Sequence, residues 1–149
     1  AVARINEGKQ EFIELGFWDS YREWGDAEDY TDAMILMMEK PEPMDYLVAT
    51  GETHTIREFV EEAFKCIGEK LNWSGKGEDE IATNQNGVIR VKINPKYYRP
   101  VEVYKLCGDA RETYKILNWK PTIKFKDLVK KMVSHDIFQE IQRKWNIKY

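Results

Sequence analysis

Tyr46-Leu47-Val48-Ala49-Thr50-Gly51 runs directly into Glu52-Thr53-His54-Thr55-Ile56-Arg57-Glu58-Phe59-Val60. Four consecutive apolar residues closed by Thr-Gly predict a buried strand of a parallel sheet. Thr55 and Glu58 have the spacing of a capping box. Ile56, Phe59, Val60, Ala63, Phe64, Ile67 and Leu71 then recur on one face of the helix that the box opens. Strand, turn and helix in this order form the unit of an α/β fold.

Upstream, Ala1-Val2-Ala3-Arg4-Ile5-Asn6-Glu7-Gly8 reads as the last turns of a helix stopped by a glycine. With no N-cap and no initiator Met in view, that helix is expected to begin before Ala1. Residues 11–15 read as a short strand ended by Gly16, and residues 17–25 as a polar and aromatic loop. Asp26 is placed to cap a helix running to about Lys40. Ala27, Tyr30, Ala33, Met34, Met37 and Met38 form its apolar stripe, with the methionines read as core filler.

Downstream, Gly75, Gly77, Asn84, Asn86 and Gly87 predict loop. Residues 88–93 alternate as a half-buried strand. Asp109 and Glu112 suggest a second capping box, opening a short helix to about Leu117. A last helix is expected from about Lys126, with Leu128, Val129, Met132, Val133, Ile137 and Ile141 facing the core.

A chain of 149 residues that is 42% apolar can bury a real core as one domain. Its net charge of −3 argues against a general nucleic-acid binder. Residues 120–149 hold eight Lys/Arg against three Asp/Glu, a local +5, so the rest carries −8. That basic end reads as a solvated helix face or as a tail for an anionic partner. No apolar run approaches the ~20 residues of a membrane span. Cys66 and Cys107 belong to no CxxC pair, as expected of ordinary thiols in a reduced, cytoplasmic protein.

Two constellations suggest anion binding. Tyr97-Tyr98-Arg99-Pro100-Val101-Glu102-Val103 sets a guanidinium, able to clamp a phosphate through two hydrogen bonds, three residues before a carboxylate able to accept from sugar hydroxyls. Tyr21-Arg22-Glu23-Trp24-Gly25 carries another arginine ahead of a helix start. A surface salt bridge to Asp19 or Glu23 explains Arg22 alone equally well, and the same caution holds for Arg99. His54 suits a capping or surface role and His135 a structural one. No G-x-G-x-x-G, P-loop, zinc-like spacing or nucleophile elbow is present, so no catalytic residue is assigned.

Together, AVARINEGKQ, REWGDAEDYTDAM, LVATGETHTIREFVEEAF, VKINPKYYRPVEV, the Gly108-Asp109 turn and LNWKPTIKFKDLVKKMV resemble the C-terminal half of the GDP-mannose 4,6-dehydratases. These belong to the extended short-chain dehydrogenases/reductases. The resemblance covers almost the whole chain, and implies an α/β substrate-binding part, mostly helices with short strands, from which the Rossmann core is largely missing. It implies oxidation of the GDP-mannose sugar at C4, loss of water across C5–C6 and return of the hydride, with NADP as cofactor, to give GDP-4-keto-6-deoxymannose. By motif match, Arg22 and Arg99 would contact the diphosphate and Glu102 the ribose hydroxyls.

The family's NADP loop, catalytic Thr and Glu, and Tyr-x-x-x-Lys pair have no counterpart here. Neither Tyr97 nor Tyr98 can replace that Tyr, because Val101 and Glu102 stand where a Lys is needed. Gly16-Phe17-Trp18 also departs from the usual Gly-Asn, which bears on the nucleobase contacts. About residues 44–72 are expected to pack on the absent Rossmann sheet. Self-association or association with a Rossmann half is therefore expected. A stand-alone GDP-sugar-binding or assembly module without catalysis, and a truncated product without a function of its own, are the alternatives.

Overall fold

A computed structural model describes residues 1–99 and 103–145 of the chain. A four-stranded sheet is ordered β1 (Ile13–Leu15), β6 (Ile89–Ile93), β5 (Ile81–Thr83), β4 (Asn72–Ser74). β1 runs parallel to β6, with Ile13 opposite Val91 and Leu15 opposite Ile93, and the other pairs are antiparallel. A separate two-stranded ribbon joins β2 (Tyr21–Arg22) to β3 (His54–Thr55). The helices are α1 (Val2–Asn6), α2 (Ala27–Met38), α3 (Ile56–Lys65), α4 (Arg111–Leu117) and α5 (Phe125–Trp145).

The main core lies between this sheet and α1, α3 and α5. Trp18, Phe64, Val91 and Val129 are its largest fully buried side chains. Removing each from water contributes about 1.5–3 kcal/mol. A smaller cluster of Ala33, Leu117 and Trp119 joins α2 to α4.

Several local signals act as their chemistry predicts. Thr55 Oγ1 accepts from Glu58 N at 3.0 Å while the Glu58 carboxylate accepts from Thr55 N at 2.7 Å, closing the capping box of α3. Asp26 Oδ1 accepts from Glu28 N at 2.9 Å and starts α2. α3 stops at Lys65, short of Leu71, although Leu71 still reaches the core.

Other expectations are corrected. Residues 46–49 form no strand. A strand needs an edge to pair with, and among the described residues none takes it. Tyr46 and Val48 pack on the Leu117 and Trp119 cluster instead, and Leu47 stays 53% exposed. Met34 and Met38 are not core filler: they are 58% and 78% exposed, because only the Tyr30, Ala33, Leu36 and Met37 side of α2 meets α4. The glycine-rich region read as loop contains β4 and β5, paired through Trp73 and Ala82. Asp109 and Glu112 make no capping box. Asp109 accepts from the backbone and side chain of Arg111, which hold its carboxyl down at about 2, and α4 begins without a side-chain cap.

The basic end of the chain finds acids within the same molecule. Lys131 pairs with Asp26 and Glu28, each at 2.9 Å, Lys124 with Glu52 at 2.8 Å, and Lys144 with Glu7 at 3.2 Å. No helix among the described residues is long and apolar enough to cross a membrane.

Candidate functional site

Val103, the last residue of the Tyr97–Val103 stretch, meets Arg22 of β2. Residues 17–25 are not a plain loop: Trp18 is buried, and Tyr21 and Arg22 form a strand because Thr55 and His54 offer partners. On the other side of β2 lies the chain that follows the Tyr-Tyr-Arg-Pro motif. Tyr21 N donates to Tyr104 O at 2.7 Å, and Tyr21 bridges to Lys105 in parallel. The Arg22 guanidinium donates to the carbonyls of Val103 at 2.6 Å and Tyr21 at 2.8 Å. Arg22 therefore meets the segment that Arg99 introduces.

Arg99 itself is exposed, just beyond a 3-10 turn at Pro95–Tyr97, and makes no ion pair with another described residue. Glu102 lies outside the described residues. Gly16 sets the start of this segment against the end of β1. A Cβ on residue 16 would lie 2.0 Å from the Tyr97 carbonyl oxygen, so only glycine permits the approach.

The acids proposed as surface partners of Arg22 are engaged elsewhere. Asp19 pairs with Arg57 at 2.8 Å. The Glu23 carboxylate accepts from three backbone amides: Thr50, Gly51 at 3.3 Å and Gly108 at 2.8 Å. Burial first, and the Glu23 charge second, push the Tyr30 and Tyr114 hydroxyls above their ordinary range. Nothing in the sequence marked Glu23 for this role, since its partners are backbone groups far along the chain. His54 is not a cap. It lies in β3 and stacks on Phe125 with ring centroids 3.8 Å apart.

Acidic side chains occupy the N-termini of α2 and α3. Asp26, with Glu28 and Asp29, occupies that of α2, and the Thr55 and Glu58 box occupies that of α3. No cluster of His, Cys, Asp or Glu suited to a metal occurs among the described residues. Among the described residues no glycine-rich strand-to-helix turn fit to cradle a dinucleotide occurs, and acids fill the starts of α2 and α3.

Residues 1–132 match the family model described as GDP-mannose 4,6 dehydratase. The chain belongs to the GDP-mannose 4,6-dehydratase family. It is 50% identical over 145 residues to the GDP-mannose 4,6 dehydratase of Drosophila melanogaster, covering 97% of this chain and 36% of that protein. Identity to the human protein of the same name is 45% over 138 residues, covering 92% and 37%. The chain thus spans little more than a third of the length of these relatives.

Among solved structures, RMD of Pseudomonas aeruginosa complexed with NADPH matches with a TM-score of 0.72 at 20% identity, over 93% of this chain and 40% of that one. The dTDP-glucose 4,6-dehydratase of Bacillus anthracis in complex with NAD matches with a TM-score of 0.68 at 14% identity, over 95% and 38%. The chain shares the fold of about two fifths of each of these structures, a mixed α/β part as the resemblance implied.

Proposed function

We propose that this chain is the C-terminal, nucleotide-sugar-binding part of a GDP-mannose 4,6-dehydratase, which converts GDP-mannose to GDP-4-keto-6-deoxymannose. The match of residues 1–132 to that family carries the reading. In it, Arg22 and Arg99 bind the diphosphate and Glu102 the ribose hydroxyls. The meeting of the Arg22 strand with residues 103–105 supports a shared site. A diphosphate bound there fixes the sugar for chemistry done elsewhere in the enzyme.

The NADP that this reaction requires is held by residues outside this chain, in a Rossmann half. About residues 44–72 contribute to packing on that half, which the exposure of Met44 and Leu47 supports. The assembled enzyme is cytoplasmic.

Mixing the chain with the Rossmann half of a relative tests the reading. Turnover of GDP-mannose should require both pieces. Turnover by this chain alone with added NADP would contradict the division of labour, and no turnover from a mixture that associates would contradict the reading itself. The self-contained core around Trp18 and Phe64 favours a second reading, a stand-alone GDP-sugar-binding module. Binding of GDP without association with the Rossmann half would select it.

A further inference from the structure

We propose that Glu23 is a positioning residue, whose carboxylate locks the turn at Thr50 and Gly51 to Gly108 and so sets the place where Arg22 meets a diphosphate. The proposal rests on the binding reading above. A carboxylate next to an anion-binding arginine should repel the anion, unless its charge is spent elsewhere. Here it accepts from the backbone amides of Thr50, Gly51 and Gly108, which lie 27, 28 and 85 residues away. Those amides draw the negative charge inward.

The arrangement is braced on both sides. Residues 103–105 run along β2, held by Arg22 and Tyr21, and Gly108 follows three residues later. A Cβ on Gly108 would lie 2.5 Å from the Ala49 Cβ, so the two segments touch where Glu23 ties them. The Tyr114 hydroxyl donates to Ala49 O at 2.7 Å and fastens the same point from α4. Loosening Glu23 frees one end of the stretch from Val103 to Gly108 that runs along β2.

The test is Glu23→Gln, which keeps the size but gives the amides an NH2 group to face. Amide resonances of Thr50, Gly51 and Gly108 and the Nε–H of Arg22 should shift, and the GDP dissociation constant should rise about tenfold, as for a lost charged hydrogen bond. A merely structural role would lower the melting temperature and leave the affinity of the folded protein unchanged. Gly108→Ala provides a second route. Its Cβ must push Ala49 away and weaken GDP binding, and Ala49→Gly in the same chain should restore it. This pair decides the matter if Glu23→Gln does not fold. Unchanged GDP affinity in the folded variants overturns the positioning role alone. A wild-type chain that does not bind GDP overturns the binding reading and this role with it.

Discussion

Gly16 touches Tyr97 across the end of β1, so closely that a methyl group on residue 16 would overlap the Tyr97 carbonyl at 2.0 Å. The contact fixes where the Tyr-Tyr-Arg-Pro segment leaves the sheet. Gly16→Ala should displace that segment and cost about 1–3 kcal/mol of stability, the scale of an overpacked site. Urea unfolding would measure it. A wild-type midpoint would mean that the segment is free to move aside.

Trp18 and Arg57 form the second anchor of the site. Arg57 lies 4.2 Å from the Trp73 ring centroid and pairs with Asp19 and with Glu80 at 2.9 Å, while Trp18 Nε1 donates to Glu80 at 2.8 Å. Arg57→Ala removes the stacked cation and leaves Glu80 with one partner fewer. An expected loss of about 2–4 kcal/mol follows, discounted for the part of the pair that water reaches. Thermal denaturation of the variant at neutral pH checks it, and a loss below about 0.5 kcal/mol, typical of plain surface sites, would place the cluster among them.

Acid should destabilise the fold. Burial raises the carboxyls of Asp29 and Glu80, but hydrogen bonds outweigh it and leave both below the ordinary value. Asp29 accepts from Ile123 and Thr122, and Glu80 from Arg57 and Trp18. For Glu69, the Arg90 hydrogen bond is the main cause of a lowered value. A carboxyl lowered by folding stabilises fully above its unfolded pKa of about 4, and loses that contribution as pH falls through the folded value. Stability should therefore fall below about pH 4, and Asp29→Asn should flatten part of the slope. An unchanged slope in that variant would remove Asp29 from the account.

The exposed side of α2 should tolerate polar change. Met38→Gln is expected to alter stability by no more than about 0.5 kcal/mol, as at other surface sites. Light scattering should then report whether the same change reduces self-association. A large loss of stability would mean that Met38 is core after all.

Some signals confined to a few neighbouring residues were legible in the sequence. The Asp26 cap and the Thr55 and Glu58 box form, and residues 89–93 of the alternating stretch become β6, whereas the equally local Asp109 and Glu112 box does not form. Residues 46–49 were misread because a strand is defined by its partner, and apolar side chains alone do not supply one. β4 and β5 were missed because three residues are too few to establish a period-two pattern amid glycines. Trp18 reads as loop by its neighbours, yet the half-buried Glu80, which accepts from its Nε1, and Arg57 beside its ring hold it inside. At the candidate site, Arg22 and Arg99 stand out only through the motifs around them. Glu23 was not, because its three partners are amides that carry no side-chain signature.

Calorimetric titration of GDP into the chain and into Arg99→Ala tests whether Arg99 holds a nucleoside diphosphate. Saturable binding by the wild type is expected, weakened by about 1–3 kcal/mol in the variant, as for a lost charged hydrogen bond. Equal affinity in the two, or no heat from the wild type at millimolar GDP, would contradict it.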